Sequence, residues 1–241
     1  MKKRLFISLV YFISFTCLAN DAIHTATSKK ALQAGDIVFW KDTEKPNRAG
    51  HVAVINDSYE GTQIPHILHS TDHPKYNAFV ETHMLPSEKL LKSNKYYWVI
   101  RVKDQKIRQS FIENLYIFQQ KKIPFNVISE ELMNKWDDSM SLYSTEFKFK
   151  LQNQLFAEMP PDNTIIPNQG YMCSEVIIIA LQNAWKDNRS KLPISLQIIP
   201  MICPPSTFMF AIQNDHNNFK IIGKLHIQAY DAIIVKSEKN K

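Results

Sequence analysis

Apolar and polar positions alternate or cluster in short runs over the first hundred residues, then change period. GDIVFW, Gly35 to Trp40, is an apolar run bounded by Gly-Asp on one side and Lys-Asp-Thr on the other, and reads as a strand. HVAVI, His51 to Ile55, follows a glycine and runs into the polar stretch NDSYEGTQ. HILHS, His66 to Ser70, answers it, so the two predict a hairpin with a long loop. YYWVIRV, Tyr96 to Val102, predicts a further strand. From Gln105 the apolar residues Ile107, Phe111, Leu115 and Phe118 recur at helical spacing and stop before Lys121-Lys122 and Pro124. Helices are also predicted over Val127 to Trp136 and Tyr143 to Phe156. After the breaks at Pro160-Pro161 and Pro167, Met172 to Trp185 predicts a long helix, apolar enough to be buried on most sides. FMFAI and FKIIG, beyond the prolines at 200–205, read as returning strands. Sheet, then helices, then strands again predicts an α+β fold.

The N-terminus changes the compartment. Lys2, Lys3 and Arg4 precede the uncharged apolar run Leu5 to Phe15 and then Cys17-Leu18-Ala19, the pattern of a signal peptide over residues 1–19. A lipid anchor on Cys17 is disfavoured by Ser14 and Phe15 in the positions before it. The run is short for a membrane span, and no later segment reaches the roughly 18 unbroken apolar residues a transmembrane helix needs. Residues 20–241 are therefore expected as one exported domain without a transmembrane anchor, in the periplasm or secreted.

Charge then excludes one class of partner. Without residues 1–19 the chain keeps 26 basic against 23 acidic residues, a formal charge of +3 spread along its length. Nucleic-acid binders gather Lys and Arg into a stripe with a larger excess, so no nucleic-acid partner is expected. The 44% hydrophobic composition with only 5 Gly suits a chain that buries a core.

The candidate chemistry centres on GYMCSEVIIIAL, where Cys173 stands at the expected start of the long helix. A thiol attacks as its thiolate, which the positive end of a helix favours. The first-turn amides there also hold an oxyanion in an acyl-transfer transition state. An imidazole completes the set by taking the thiol proton. His51, opening a strand after Gly50, is the base best placed among the 8 histidines, and His69 on the answering strand is the group to orient it. His66, an odd number of residues from His69, points to the opposite face. Two other readings stay open: a Cys173–Cys203 disulfide in an oxidising compartment, and a zinc cluster from His66, His69, Asp72 and His73. Glu175 also reads as a cap or charge balance for the first helical turn.

GDIVFW, GHVAVI, ILHST and a much later YMCSEVI together resemble the permuted branch of the NlpC-like, papain-fold cysteine hydrolases, the YiiX/YaeF type. The order carries the likeness, because in the unpermuted family the cysteine helix comes before the histidine strand. The resemblance spans Gly35 to about Phe210, including Pro-Pro-Ser-Thr-Phe after the cysteine helix. It implies a circularly permuted papain-like fold, with an antiparallel sheet packed against helices and the cysteine at a helix N-terminus. It also implies Cys173 as nucleophile, His51 as general base and His69 at the orienting position. Because that third position is often a carboxylate in this branch, Glu81 and Glu175 are alternatives for it. Tyr171 and Asn126 are candidates for the oxyanion site or cleft.

The resulting expectation is an exported amidase or peptidase without a cofactor or metal. It would cleave an amide through a thioester acyl-enzyme, with a cell-wall or other small peptide as substrate. One alternative is a thiol acyltransferase or lipid hydrolase of the same fold acting on lipid acyl groups. Another is a non-catalytic binding or metal-binding domain whose Cys173 and Cys203 are paired.

Overall fold

The computed structural model describes residues 32–40, 50–56, 66–71, 78–83, 97–125, 127–163 and 170–225. The expected signal peptide, together with Asp72, His73 and Asn126, lies outside the described residues.

The strands are β1 (Ile37–Trp40), β2 (His51–Ile55), β3 (His66–Thr71), β4 (Ala78–His83), β5 (Tyr97–Val102) and β6 (Phe219–Leu225). The helices are α1 (Gln105–Gln120), α2 (Val127–Ser139), α3 (Thr145–Glu158), α4 (Cys173–Asp187) and α5 (Pro205–Gln213), with short 3₁₀ turns at Ile194–Leu196 and Pro200–Ile202. All the described strands form one antiparallel sheet in the order β4-β3-β2-β1-β5-β6. The fold class is α+β.

Register fixes the two faces of the sheet. Ile37 pairs with Val54, Phe39 with Val52, and Ile37 also with Ile100. These residues, with Leu68 and Phe79, join one buried cluster with Phe111, Leu115 and Phe118 of α1, Val176 to Leu181 of α4 and Phe208 of α5. Helices α4 and α5 meet the sheet here: α4 packs against β2 and β3, and Phe208 meets the Phe39 ring edge-on at 5.4 Å. Val38, Ala53, Ile55, Ile67 and Val99 alternate to the other face and are also buried.

Local chemistry sets the ends of the elements. The Asp104 carboxylate caps α1 by accepting from the Lys106 and Ile107 amides at 2.8 and 3.0 Å. Gly35, just before β1, has φ +83°, and a Cβ there would stand 2.8 Å from Arg108 Cγ, so both backbone and packing demand glycine. Next to it Asp36 is fully buried, held by Arg101 Nε at 2.6 Å and Arg101 Nη2 at 2.8 Å, which ties β1 to β5. α4 is buried almost all round, as its composition predicts. Its buried mid-helix amide Gln182 donates to the carbonyls of Leu196 and Ile198 at 2.7 and 2.9 Å.

Two elements depart from the sequence expectation. FMFAI is not a strand but the body of α5. Pro204 takes the N-cap and Pro205 the first helical position, where the missing N–H has no function and the fixed φ suits a helix. Phe208, Ala211 and Ile212 then face the core at helical spacing. Strand β4 adds a pairing the sequence reading did not include, with His69 opposite Val80 and His66 opposite His83.

Candidate active site

The β2–β3 hairpin brings two imidazoles together. Its register, Val54 with Leu68 and Ile55 with Ile67, puts His51 and His69 on the parity of Ala53. His51 Nε2 lies 3.0 Å from His69 Nδ1, and the rings meet edge-on with centroids 5.2 Å apart. Burial, and then the neighbouring His69, hold the His51 pKa well below the usual imidazole value, and burial lowers that of His69 to about 4. Both rings are therefore neutral near pH 7, and a single N–H···N bond joins them. If the shared proton sits on His51 Nε2, the lone pair of that ring is on Nδ1, the nitrogen a base would use.

Cys173 is the first residue of α4, half-buried and a free thiol. The backbone leading into it is held at several points. Tyr171 N–H donates to the Pro124 carbonyl at 2.9 Å, the Tyr171 carbonyl accepts from Ser70 Oγ at 2.8 Å, and Met172 N–H donates to Glu175 Oε2 at 3.2 Å. Continuing the hairpin register sets Ser70 across from Val52, so α4 begins at the end of the sheet where β2 begins. The imidazole pair and the thiol-bearing helix start thus share one end of the hairpin. α4 covers the parity of Val52 and Val54, while His51 has the alternate parity and is the first residue of its strand.

The remaining candidates separate into other roles. Glu175 is buried in the first turn of α4, where it caps the Met172 amide; burial raises its pKa to about 7 against the opposing pull of that amide. Glu81 is on the parity opposite to His69; its Oε1 is 2.8 Å from His66 Nδ1, and its Oε2 accepts from Gln119 Nε2 at 3.3 Å. The Tyr171 ring packs edge-on against Phe118 at 5.6 Å, inside the core cluster. Asn126 lies outside the described residues, although Pro124, two positions before it, is bonded to Tyr171.

The disulfide alternative is not formed, because Cys173 and Cys203 are both free thiols. Cys203 is fully buried, and its carbonyl accepts from Ser174 Oγ at 2.9 Å. Burial, reinforced by the Asp137 charge, pushes its thiol far above the ordinary range. Nor do His66 and His69 converge on one ion, since strand alternation sends them to opposite faces. Among the described residues no group of three or more His, Cys, Asp or Glu side chains gathers around a point, and no helix is long and apolar enough to cross a membrane.

Sequence reasoning missed Ser70, the residue that clamps the Cys173 lead-in to the sheet. A signal was present: in HILHST it is a polar residue on the apolar parity of Leu68.

Comparison of the chain with family models, curated proteins and solved structures returned no match.

Proposed function

We propose that the chain is an exported cysteine hydrolase of circularly permuted papain-like fold that cleaves an amide bond in a cell-wall or other small peptide. The observation that carries this reading is the His51–His69 contact of 3.0 Å at the same sheet end as the Cys173 helix start. A partly buried imidazole pair is costly unless each ring satisfies the other, and this one leaves a neutral, oriented base at the sheet end where the α4 N-terminus also lies. The proposed path runs round the open end of β2, where His51 is the first strand residue.

His51 takes the Cys173 thiol proton as sulfur attacks the scissile carbonyl. The first-turn amides of α4 receive the developing oxyanion. His51 then returns the proton to the leaving amine, and water, deprotonated by the same ring, hydrolyses the thioester. His69 holds the His51 ring and its tautomer throughout.

The test is alkylation of purified protein with iodoacetamide across pH 5 to 9, with peptide mass spectrometry, in wild type and His51→Ala. Labelling of Cys173 that slows at least about tenfold in the variant supports His51 as its base. Equal labelling in both proteins overturns the assignment. Release of free amine from murein peptides, against acyl release from phospholipid vesicles, then separates an amidase from a lipid-directed acyl enzyme.

A further inference from the structure

The first turn of α4 carries two acidic side chains. Cys173 is its first residue, half-buried, and Glu175 its third, buried at 3% exposure. The Glu175 side chain turns back along the helix, where Oε2 accepts from the Met172 amide at 3.2 Å, at the same helix end that bears the thiol. Val176 N–H makes the first bond within the helix, to the Met172 carbonyl at 3.1 Å, and the amides before it form the positive end of the helix dipole. That end favours a thiolate and a carboxylate alike, so the two groups compete for one field, and two negative charges within one turn repel.

We propose that Glu175 is a positioning residue for Cys173: as a buried neutral acid it fixes the start of α4 without placing a second negative charge there, and its ionisation competes with the thiolate. The inference rests on the reading of Cys173 as nucleophile. Burial supplies the neutrality, raising the Glu175 pKa to about 7 against the pull of the Met172 amide. The elements packed on α4 among the described residues are α1, β2, β3 and the two 3₁₀ turns. From β3 the Ser70 hydroxyl meets the helix lead-in, and from beyond the second 3₁₀ turn the Cys203 carbonyl meets Ser174 Oγ, both uncharged. His51 and His69 are neutral near pH 7, the Cys203 thiol stays protonated, and His66 is bonded to Glu81 at the other end of β3. Asp137, which acts on Cys203, is paired with Lys148. α1 brings Phe118 against Tyr171, with Lys121 and Lys122 exposed just beyond, and meets Asp187 at the far end of α4 through Asn114. The acid and the thiol therefore act chiefly on each other: loss of a proton from either raises the midpoint of its neighbour. An ionised Glu175 also opposes the oxyanion that the first-turn amides receive, which sets an alkaline limit on acyl transfer.

The experiment measures Cys173 alkylation by iodoacetamide from pH 5 to 9 in wild type, Glu175→Gln and His51→Ala. It also follows the carboxyl carbon resonance of Glu175 over the same range in wild type and Cys173→Ser. Coupling is reciprocal, so the group that ionises second in wild type reveals it. The Cys173 midpoint falls in Glu175→Gln, or the Glu175 midpoint falls in Cys173→Ser, by about one pH unit, a tenfold change in proton affinity. At pH 5, where Glu175 is protonated, Glu175→Gln should label at the wild-type rate, which a merely structural effect of the substitution would not give. Glu175→Met, likewise neutral, gives the same reading should circular dichroism find Glu175→Gln unfolded. Midpoints unmoved in both variants overturn the proposal, as does a Glu175→Gln rate offset equally at every pH. Equal labelling of wild type and His51→Ala overturns the hydrolase reading instead, while the midpoints still decide the coupling of thiol and carboxyl.

Discussion

The hydroxyl of Ser70 donates to the carbonyl of Tyr171 at 2.8 Å, joining the strand of His69 to the lead-in of Cys173 across a long sequence separation. Ser70 is buried, so Ser70→Ala leaves that carbonyl without its donor and costs about 1–3 kcal/mol. The expected outcome is a lower unfolding temperature. Slower Cys173 labelling by iodoacetamide is also expected, because the helix start loses its tie to the hairpin. A destabilised protein that labels at the wild-type rate shows that the bond supports the fold only.

Cys173 and Cys203, the cysteines among the described residues, should behave differently under native conditions. Cys173 is half-buried at a helix start, whereas Cys203 is fully buried with its thiol shifted upward by burial and by Asp137. Of these two, iodoacetamide should therefore modify only Cys173 in folded protein, and both after denaturation. Peptide mass spectrometry reads this directly, and equal native labelling of Cys203 contradicts its burial.

The strands and amphipathic helices were legible because alternation and helical spacing report burial on one face. GDIVFW, HVAVI and HILHS became β1, β2 and β3, and the spacing from Ile107 to Phe118 became the buried stripe of α1. The same alternation explains why two histidines far enough apart to need a hairpin meet, and why His66 does not join them. FMFAI failed because five consecutive apolar residues carry no period, and the deciding signal was the Pro-Pro at the helix start. Ser70 and the Asp36–Arg101 tie were not legible, because their partners are set by tertiary packing between distant segments.

Glu175 gives a pH dependence of known sign. Its folded pKa of about 7 lies above the ordinary carboxylate value of 4.5, so the native state binds the proton more tightly than the unfolded chain. Its contribution is present in full below pH 4.5 and is lost as pH rises through about 7. Glu175→Gln keeps an oxygen for the Met172 amide without the buried charge. Relative to wild type it should be more stable at pH 8, by up to about 3 kcal/mol, with the difference shrinking toward pH 5. Urea unfolding at the two pH values measures it, and a difference that does not change with pH rejects the raised pKa.

The histidine pair has the opposite sign. Both rings are held neutral by burial, with folded pKa values below 6.5 and about 4 for His69. Their contribution is present above the unfolded value and is lost as pH falls through the folded values. Imidazole proton resonances should show His69 titrating with a midpoint near 4 and His51 staying neutral well below 6.5. Replacing His69 with Gln removes a like-charge neighbour, so the His51 midpoint should move up. It should also flatten the acid loss of stability by an amount on the order of 2 kcal/mol. An ordinary titration near 6.5 for both rings in the folded protein contradicts the buried, mutually bonded pair.

The Asp36–Arg101 pair sets the frame on which the hairpin stands. Asp36 is fully buried and Arg101 largely so, with bonds of 2.6 and 2.8 Å between them, while Asp36 Oδ2 also accepts from the Gln33 amide at 2.9 Å. Burial raises the Asp36 pKa, and the Arg101 bond and charge and the Gln33 amide act against that rise. Around it the backbone closes on the far end of β2: Gly35 N–H donates to the Ile55 carbonyl at 2.9 Å and Ile55 N–H to the Asp36 carbonyl at 2.8 Å. Asp36→Asn keeps the shape and removes the buried charge that faces the Arg101 guanidinium. Removing one partner of a buried pair costs about 3–5 kcal/mol, so a fall in unfolding temperature of roughly 6–20 °C is expected for a chain of this size. Arg101→Met should cost a similar amount, and the double variant Asp36→Asn with Arg101→Met much less than the sum, because the two changes remove the same interaction. Calorimetry of the three variants measures the coupling. Additive losses show that the two side chains act independently and that the ion pair does not hold the frame of the hairpin.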